Sequence, residues 1–290
     1  RICVEEGLDP VTAIRMATLN AAECFDLKDR GAIAPGYRGD VVLLDDLKDF
    51  HVNRVFIEGA LVAEEGKYLP KIKKCDISSV KGSVIVKDFS KEKFKMNLKS
   101  NKVNVIKILP GGVVTAKDTA EIELDANGEF VRNPEVDLVK VAVVERHQGT
   151  GNVACGFLKG YGIKEGAVAL SIAHDSHNII VVGVSDEEME FAVNSLIEQE
   201  GGMVLVKEGK VIESMPMPIA GLMSDQSGEW VDQKLTDIHE KAYEELGICG
   251  DVEPVMTLCF MSLAVIPEIK LTDMGLFDVT TFSFIPVEAE

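Results

Sequence analysis

The sequence predicts an α+β fold with mixed sheets and two long helices, and three features carry that expectation. Leu138 to Val144 is a β-branched run rich in Val, suited to a central strand. Ser185 with Glu188 three residues on is a capping-box start. The helix it opens has Met189, Val193, Leu196 and Ile197 on its apolar face, and Gly201-Gly202 stops it. A second long helix, from about Ser227 to Leu246, carries Trp230, Leu235, Ile238, Ala242 and Leu246 on one side.

The remaining elements follow in chain order. Asp9 can cap a first helix whose first position is Pro10, where a missing N–H is harmless, and Val11, Ile14, Ala17, Ala21 and Phe25 recur at spacings of three and four to give one face for burial. A turn-rich stretch from Arg30 to Asp40 leads into the apolar run Val41 to Leu44, and His51 to Ile57 alternates towards a Glu58-Gly59 turn before Leu61 to Ala63. Residues 64–102 turn Lys-rich, and a domain boundary is expected near Pro70. Val103 to Leu109 reads as a strand ending at Pro110-Gly111-Gly112. Glu121 to Leu124 and Glu129 to Val131 flank an Asn127-Gly128 hairpin signal, Val168 to Ala173 and Ile179 to Val182 are two more strands, and Glu208-Gly209 turns a further hairpin. Gly149-Thr150-Gly151 with Gly156, Gly160 and Gly162 reads as a tightly turned or mobile loop rather than a dinucleotide fingerprint, because the third glycine of that fingerprint is displaced.

Composition narrows the function classes. At roughly 100–200 residues per domain, 290 residues suggest about two domains. A formal net charge of -18 repels phosphate backbones and anionic lipid, and the longest basic run, Lys71 to Lys74, is too short to reverse it, so nucleic acid is not an expected partner. No stretch approaches the ~18 consecutive apolar residues of a membrane span, and no leader pattern opens the chain, so no membrane is expected and the expected compartment is cytoplasmic. The six Cys are scattered without a Cys-x-x-Cys pair and read as free thiols. The first residue is Arg rather than Met in a segment that already reads as helix, which leads us to expect a chain that begins mid-protein.

The nucleoside-triphosphate loop Gly-x-x-x-x-Gly-Lys-Ser/Thr, His-Glu-x-x-His, Gly-x-Ser-x-Gly and the zinc motif of the small cytidine-type deaminases are all absent. Histidine carries more. His174 and His177 bracket Asp175-Ser176 between two apolar strands. A β-turn there brings their Cα atoms within about 7 Å, close enough for the imidazoles to share a metal ion with Asp175 as an oxygen ligand. His147 ends another strand and can reach the same place if the strands are neighbours. The same residues also serve as ordinary turn formers that bond their own backbone, and His-x-x-His spacing alone does not separate the two readings. Met217 and Ser224 lie in Ser214 to Asp225, where Met alternates with Pro. That segment can line a pocket or fill the core, and Ser224 and Asp225 read more readily as helix caps than as catalysts. The acidic pairs Asp45-Asp46, Glu64-Glu65 and Glu187-Glu188 read as solvated faces or helix starts, and Cys155 as a buried inert thiol.

These residues carry a resemblance. Gly7-Leu8-Asp9-Pro10 through Ala21-Ala22, then Gly31 to Leu44, resembles the exit of an amidohydrolase-superfamily barrel, with Gly39 where many relatives have Ala. Gly111-Gly112, Glu145-Arg146-His147, His174 to Asn178, Pro216 to Leu222 and Phe282 to Pro286 are similar to the carboxy-terminal domain of bacterial-type adenine deaminases. The resemblance implies the last helix of a (β/α)8 barrel over 1–29, return strands of a small β-sandwich over 30–69 and the deaminase carboxy-terminal domain over 70–290. It also implies hydrolysis of adenine to hypoxanthine and ammonia in purine salvage, by water activated on Mn2+ (or Fe2+ or Zn2+).

A barrel needs about 250 residues, and the family's metal ligands precede its last helix, so no catalytic residue is expected in this chain. The expected partners are adenine, a missing amino-terminal barrel and further copies in a homo-oligomer. His174, His177 and Asp175 stand as a further metal site, and His147, Met217 and Ser224 as residues lining a substrate pocket. A non-catalytic docking module and another amidohydrolase are the alternatives. The long extension beyond Pro70 argues against the latter.

Overall fold

Asp9 starts the first long helical segment as its sequence position requires. Its carboxylate accepts from the Thr12 N–H at 2.9 Å, and Pro10 holds the first helical position. In the computed structural model, which describes residues 1–111 and 113–289, a short helix α1 (Ile2–Glu5) precedes it. The expected single helix is built as α2 (Pro10–Arg15), a π-helical turn over Met16–Asn20 and α3 (Ala21–Cys24). In that wider turn the Thr18 hydroxyl donates to the Ile14 carbonyl at 2.7 Å, a back-bond that opens helices. Ala22 is the one buried residue of the segment, and Val11 and Phe25, expected on a buried face, are 61% and 76% exposed.

The strands β1 (Val41–Leu44), β2 (Val52–Ile57), β3 (Ala60–Glu64) and β4 (Lys67–Tyr68) follow as an antiparallel meander in that order. Glu58 and Gly59 both have positive φ, the conformation a two-residue hairpin turn demands. These elements belong to one compact unit, Arg1–Cys75; Asp76–Glu290 forms the other.

In the second unit, β5 (Lys102–Ile108), β6 (Thr115–Glu121), the short hairpin β7 (Glu123–Leu124) and β8 (Phe130–Val131), β9 (Leu138–Val144), β10 (Val153–Lys159), β11 (Ala167–Leu170) and β12 (Ile179–Gly183) are followed by helix α4 (Asp186–Glu198). Next come β13 (Gly202–Lys207), β14 (Lys210–Pro216), α5 (Gly228–Glu244), α6 (Pro254–Cys259), β15 (Ile269–Thr272), β16 (Gly275–Asp278) and β17 (Ser283–Phe284). Eight strands form one sheet in the order β14-β13-β11-β12-β9-β10-β5-β6, mixed because β5 and β10 run parallel while the other neighbours are antiparallel.

Strand β9 lies inside this sheet with all seven residues buried, and its alternation sorts them into two cores. Val139, Val141 and Val143 pack with Ile238, Ala242 and Leu246 at α5, whereas Ala142 and Val144 pack with Met189, Ala192, Val193 and Leu196 of α4. Helices thus cover both faces, and each fully buried Val or Leu contributes roughly 1.5–3 kcal/mol.

Both long helices start at the expected serine. Ser185 Oγ accepts from the Glu188 N–H, and Ser227 Oγ accepts from the Trp230 N–H. Ser224 and Asp225 do not cap α5; Ser224 Oγ accepts from the Gln226 N–H in the turn before it. Strands β6 and β10 were not expected. Strand β6 is an edge strand of small and charged residues with alternate positions exposed. Strand β10 contains Gly156, which is buried and pairs with Val141 of β9, so this glycine lies within a strand and not in a loop. Gly112 of the Gly111-Gly112 pair lies outside the described residues.

Candidate functional site

Three motif segments of the second unit, Glu145 to His147, His174 to Asn178 and Pro216 to Leu222, meet at the end of the large sheet where β9 ends and β12 begins. Register pairs Val144 with Ile179, so the segment Glu145-Arg146-His147 leaves the sheet beside the turn His174 to Asn178. His147 Nε2 donates to the Ser176 carbonyl at 2.7 Å, which fixes the proton on that nitrogen. The strands are neighbours, and His147 reaches the turn.

The turn is closed by the His177 N–H donating to the Ala173 carbonyl at 2.6 Å, with the His174 N–H on the Cys259 carbonyl and the Ser262 hydroxyl on the His174 carbonyl. The rings of His174 and His177 lie edge to face with centroids 5.2 Å apart, and Phe260 packs on His174 at 4.8 Å. Burial holds His177 below the usual imidazole value, and the neighbouring His174 and Arg146 charges act in the same sense. Its Nδ1 is buried without a hydrogen-bond partner. His174, Asp175 and His177 do not bring three ligand atoms within 4.8 Å of one another.

Arg146 organises this end of the sheet. It is 1% exposed, and among the described residues no carboxylate lies within ion-pair distance of its guanidinium. Its acceptors are main-chain carbonyls. Nε donates to His177 at 2.5 Å and Nη2 to Ala220 at 3.2 Å, with Ser83 more distant at 3.5 Å. His177 and Ala220 are both left-handed, with φ 53° and 57°. Gly221 lies against the guanidinium, where a Cβ would sit 2.6 Å from Nη1. One buried cation therefore ties the histidine turn to the Pro216 to Leu222 segment.

Glu145 faces the other way. It accepts from the main-chain N–H groups of His147, Gln148 and Thr150 and from the Thr150 hydroxyl, which makes the glycine-rich loop a tight turn wound on one carboxylate. Burial pushes its pKa up, but these donors outweigh burial and bring it down to about 2. Asn178 and Asn152 donate to the two oxygens of Asp273, extending the polar network to the loop before β16.

Met217 is 6% exposed and belongs to the core beneath α5, while Ser224 is half-buried in its turn. Neither joins the histidines. Arg146, Asn178 and Asp273 were missed as site residues. The available signal was an Arg two residues beyond the Val-rich Leu138 to Val144 run, close enough to an interior strand to be buried and obliged to find acceptors.

With this geometry in hand, comparison with known proteins places the chain. Residues 1–62 match the amidohydrolase family, and residues 112–283 match the adenine deaminase C-terminal domain. The chain belongs to the adenine deaminase C-terminal domain family. It is similar to adenine deaminase 2 of Desulfotalea psychrophila, 66% identical over 289 residues, covering 100% of this chain and 50% of the relative. It is also similar to the adenine deaminase of Ligilactobacillus salivarius, 49% identical over 290 residues with the same coverage, and to adenine deaminase 2 of Carboxydothermus hydrogenoformans, 45% identical over 287 residues, covering 99% of this chain and 50% of the relative. The chain spans about half the length of the curated relatives it matches.

Proposed function

We propose that this chain is the carboxy-terminal part of a hydrolytic adenine deaminase, which converts adenine and water to hypoxanthine and ammonia. The observation that carries the reading is identity of 66% along the whole chain to a protein named adenine deaminase 2, of which the chain covers 50%. A free-standing docking module or a different amidohydrolase is less well supported, because the match runs through both the 1–62 and the 112–283 segments and the relatives share one name.

The amidohydrolase match implies a divalent metal. The residues present do not fit that centre. No His-x-His occurs in the sequence, and the His174, Asp175 and His177 side chains do not form a three-ligand group. We therefore assign no step of the deamination to this chain. On this reading residues 1–29 are the last barrel helix, 30–69 the return strands of the β-sandwich and 70–290 the domain that buttresses the barrel mouth in a homo-oligomer, with Mn2+, Fe2+ or Zn2+ held upstream. No described helix is long and apolar enough to cross a membrane, in keeping with a cytoplasmic role in purine salvage.

Extending the chain amino-terminally to the length of its relatives and assaying ammonia and hypoxanthine from adenine tests the reading; an extended, folded and metal-loaded protein that releases neither would sink it. The proposed contact of His174, His177 and His147 with the barrel mouth has its own test in the extended protein. If His174→Ala with His177→Ala leaves metal content and turnover unchanged, those residues do not reach it.

A further inference from the structure

The rim of the four-stranded sheet carries a cluster that the deaminase reading does not use. Asp45 follows β1, His51 precedes β2 and Glu65 follows β3, so three adjacent strands deliver three side chains to one edge. Main-chain bonds lock the register there: the Asp45 N–H donates to the His51 carbonyl at 3.0 Å, and the Glu65 N–H to the Asn53 carbonyl at 2.9 Å. The loop between Asp45 and His51 is wound on the Asp46 carboxylate, which accepts from the N–H groups of Lys48, Asp49, Phe50 and His51.

The side chains are oriented as well. Asn53 Nδ2 donates to Asp45 Oδ1 at 3.1 Å and to Glu65 Oε1 at 3.0 Å. The oxygens left over, Asp45 Oδ2 and Glu65 Oε2, lie 3.8 Å and 3.7 Å from His51 Nε2. Those separations are too long for hydrogen bonds. They approach the edge of a tetrahedron with metal bonds near 2.1 Å, which is about 3.4 Å.

We propose that Asp45, His51 and Glu65 bind one Zn2+-class divalent cation, with water in the remaining position and Asn53 orienting both carboxylates. An imidazole nitrogen selects a borderline transition-metal ion over Mg2+ or Ca2+, which take oxygen ligands. The two carboxylates match its double charge. All three ligand residues are exposed, so the ion has free access and the variants below leave the fold untouched.

The test is a Zn2+ titration of the 290-residue chain against a chromophoric chelator, after alkylation of the exposed thiols Cys3, Cys24, Cys75 and Cys249, which would otherwise compete. The expected result is one equivalent bound, with His51→Gln and Asp45→Asn each weakening binding at least tenfold, Asn53→Ala weakening it ten- to a hundredfold as orienting partners do, and excess Mg2+ failing to displace the ion. Equal Zn2+ affinity in the wild type and His51→Gln would overturn the proposal, as would a wild type that binds no Zn2+ at millimolar concentration.

Discussion

Gly221 and Arg146 occupy complementary space: a Cβ on the glycine would lie 2.6 Å from the guanidinium Nη1. The glycine also has φ +71°, a backbone conformation that side chains disfavour. Both constraints exist because the preceding residue, Ala220, must turn its carbonyl to Arg146.

Gly221→Ala is therefore expected to destabilise the protein by at least ~2 kcal/mol, through overpacking and backbone strain together. Urea denaturation reads this directly as a lower midpoint at unchanged slope. A midpoint equal to the wild type would mean that Arg146 can move aside freely.

Arg146→Met removes the donors that serve His177 and Ala220 and leaves two partly buried carbonyls unpaired, which costs about 2–4 kcal/mol. Arg146→Lys should recover less than half of that loss, because an ammonium cannot span both carbonyls as the planar fork does. Equal stability of the Lys and Arg proteins, measured in the same denaturant series, would refute the bridging role.

Glu145 supplies an acid-side signature. Its value in the folded chain is depressed from 4.5 to about 2, so its stabilisation is fully present above pH 4.5 and is lost as pH falls towards 2. Glu145→Gln should cost about 2–3 kcal/mol at pH 7, and the gap between variant and wild type should close as the pH falls through that window. A gap that stays constant from pH 7 to pH 3 would contradict the loop geometry.

The thiols divide by environment. Burial pushes Cys155 and Cys259 up to about 12, whereas Cys3, Cys24, Cys75 and Cys249 are exposed. Four thiols are expected to react rapidly with a chromogenic disulfide, and the remaining two only on unfolding. Six rapid equivalents would contradict the shielding of half-buried Cys155 and buried Cys259.

Much of the second unit is legible in its sequence because local and global preferences agree there. The capping serines Ser185 and Ser227 sit where their helices begin, and the Leu138 to Val144 run becomes a fully buried interior strand. Legibility fails where a residue has a tertiary reason. Gly156 looks like loop punctuation but is a buried residue of β10 paired with Val141, and the charged pattern of β6 hides an edge strand. At the site, the proximity of His147, His174 and His177 can be read from strand adjacency. The role of Arg146 cannot, because its acceptors are backbone carbonyls at distant positions, the 177 and 220 peptides, which carry no residue-type signal.

The most direct measurement is ammonia release from adenine in the presence of Mn2+, run side by side on the 290-residue chain and on a chain extended to the length of its relatives. No release from the 290 residues and metal-dependent release from the extended protein is the expected result, because the metal-ligand motif is absent here while the match to adenine deaminases runs end to end. Turnover by the 290 residues alone, or none by the extended protein, would contradict the assignment.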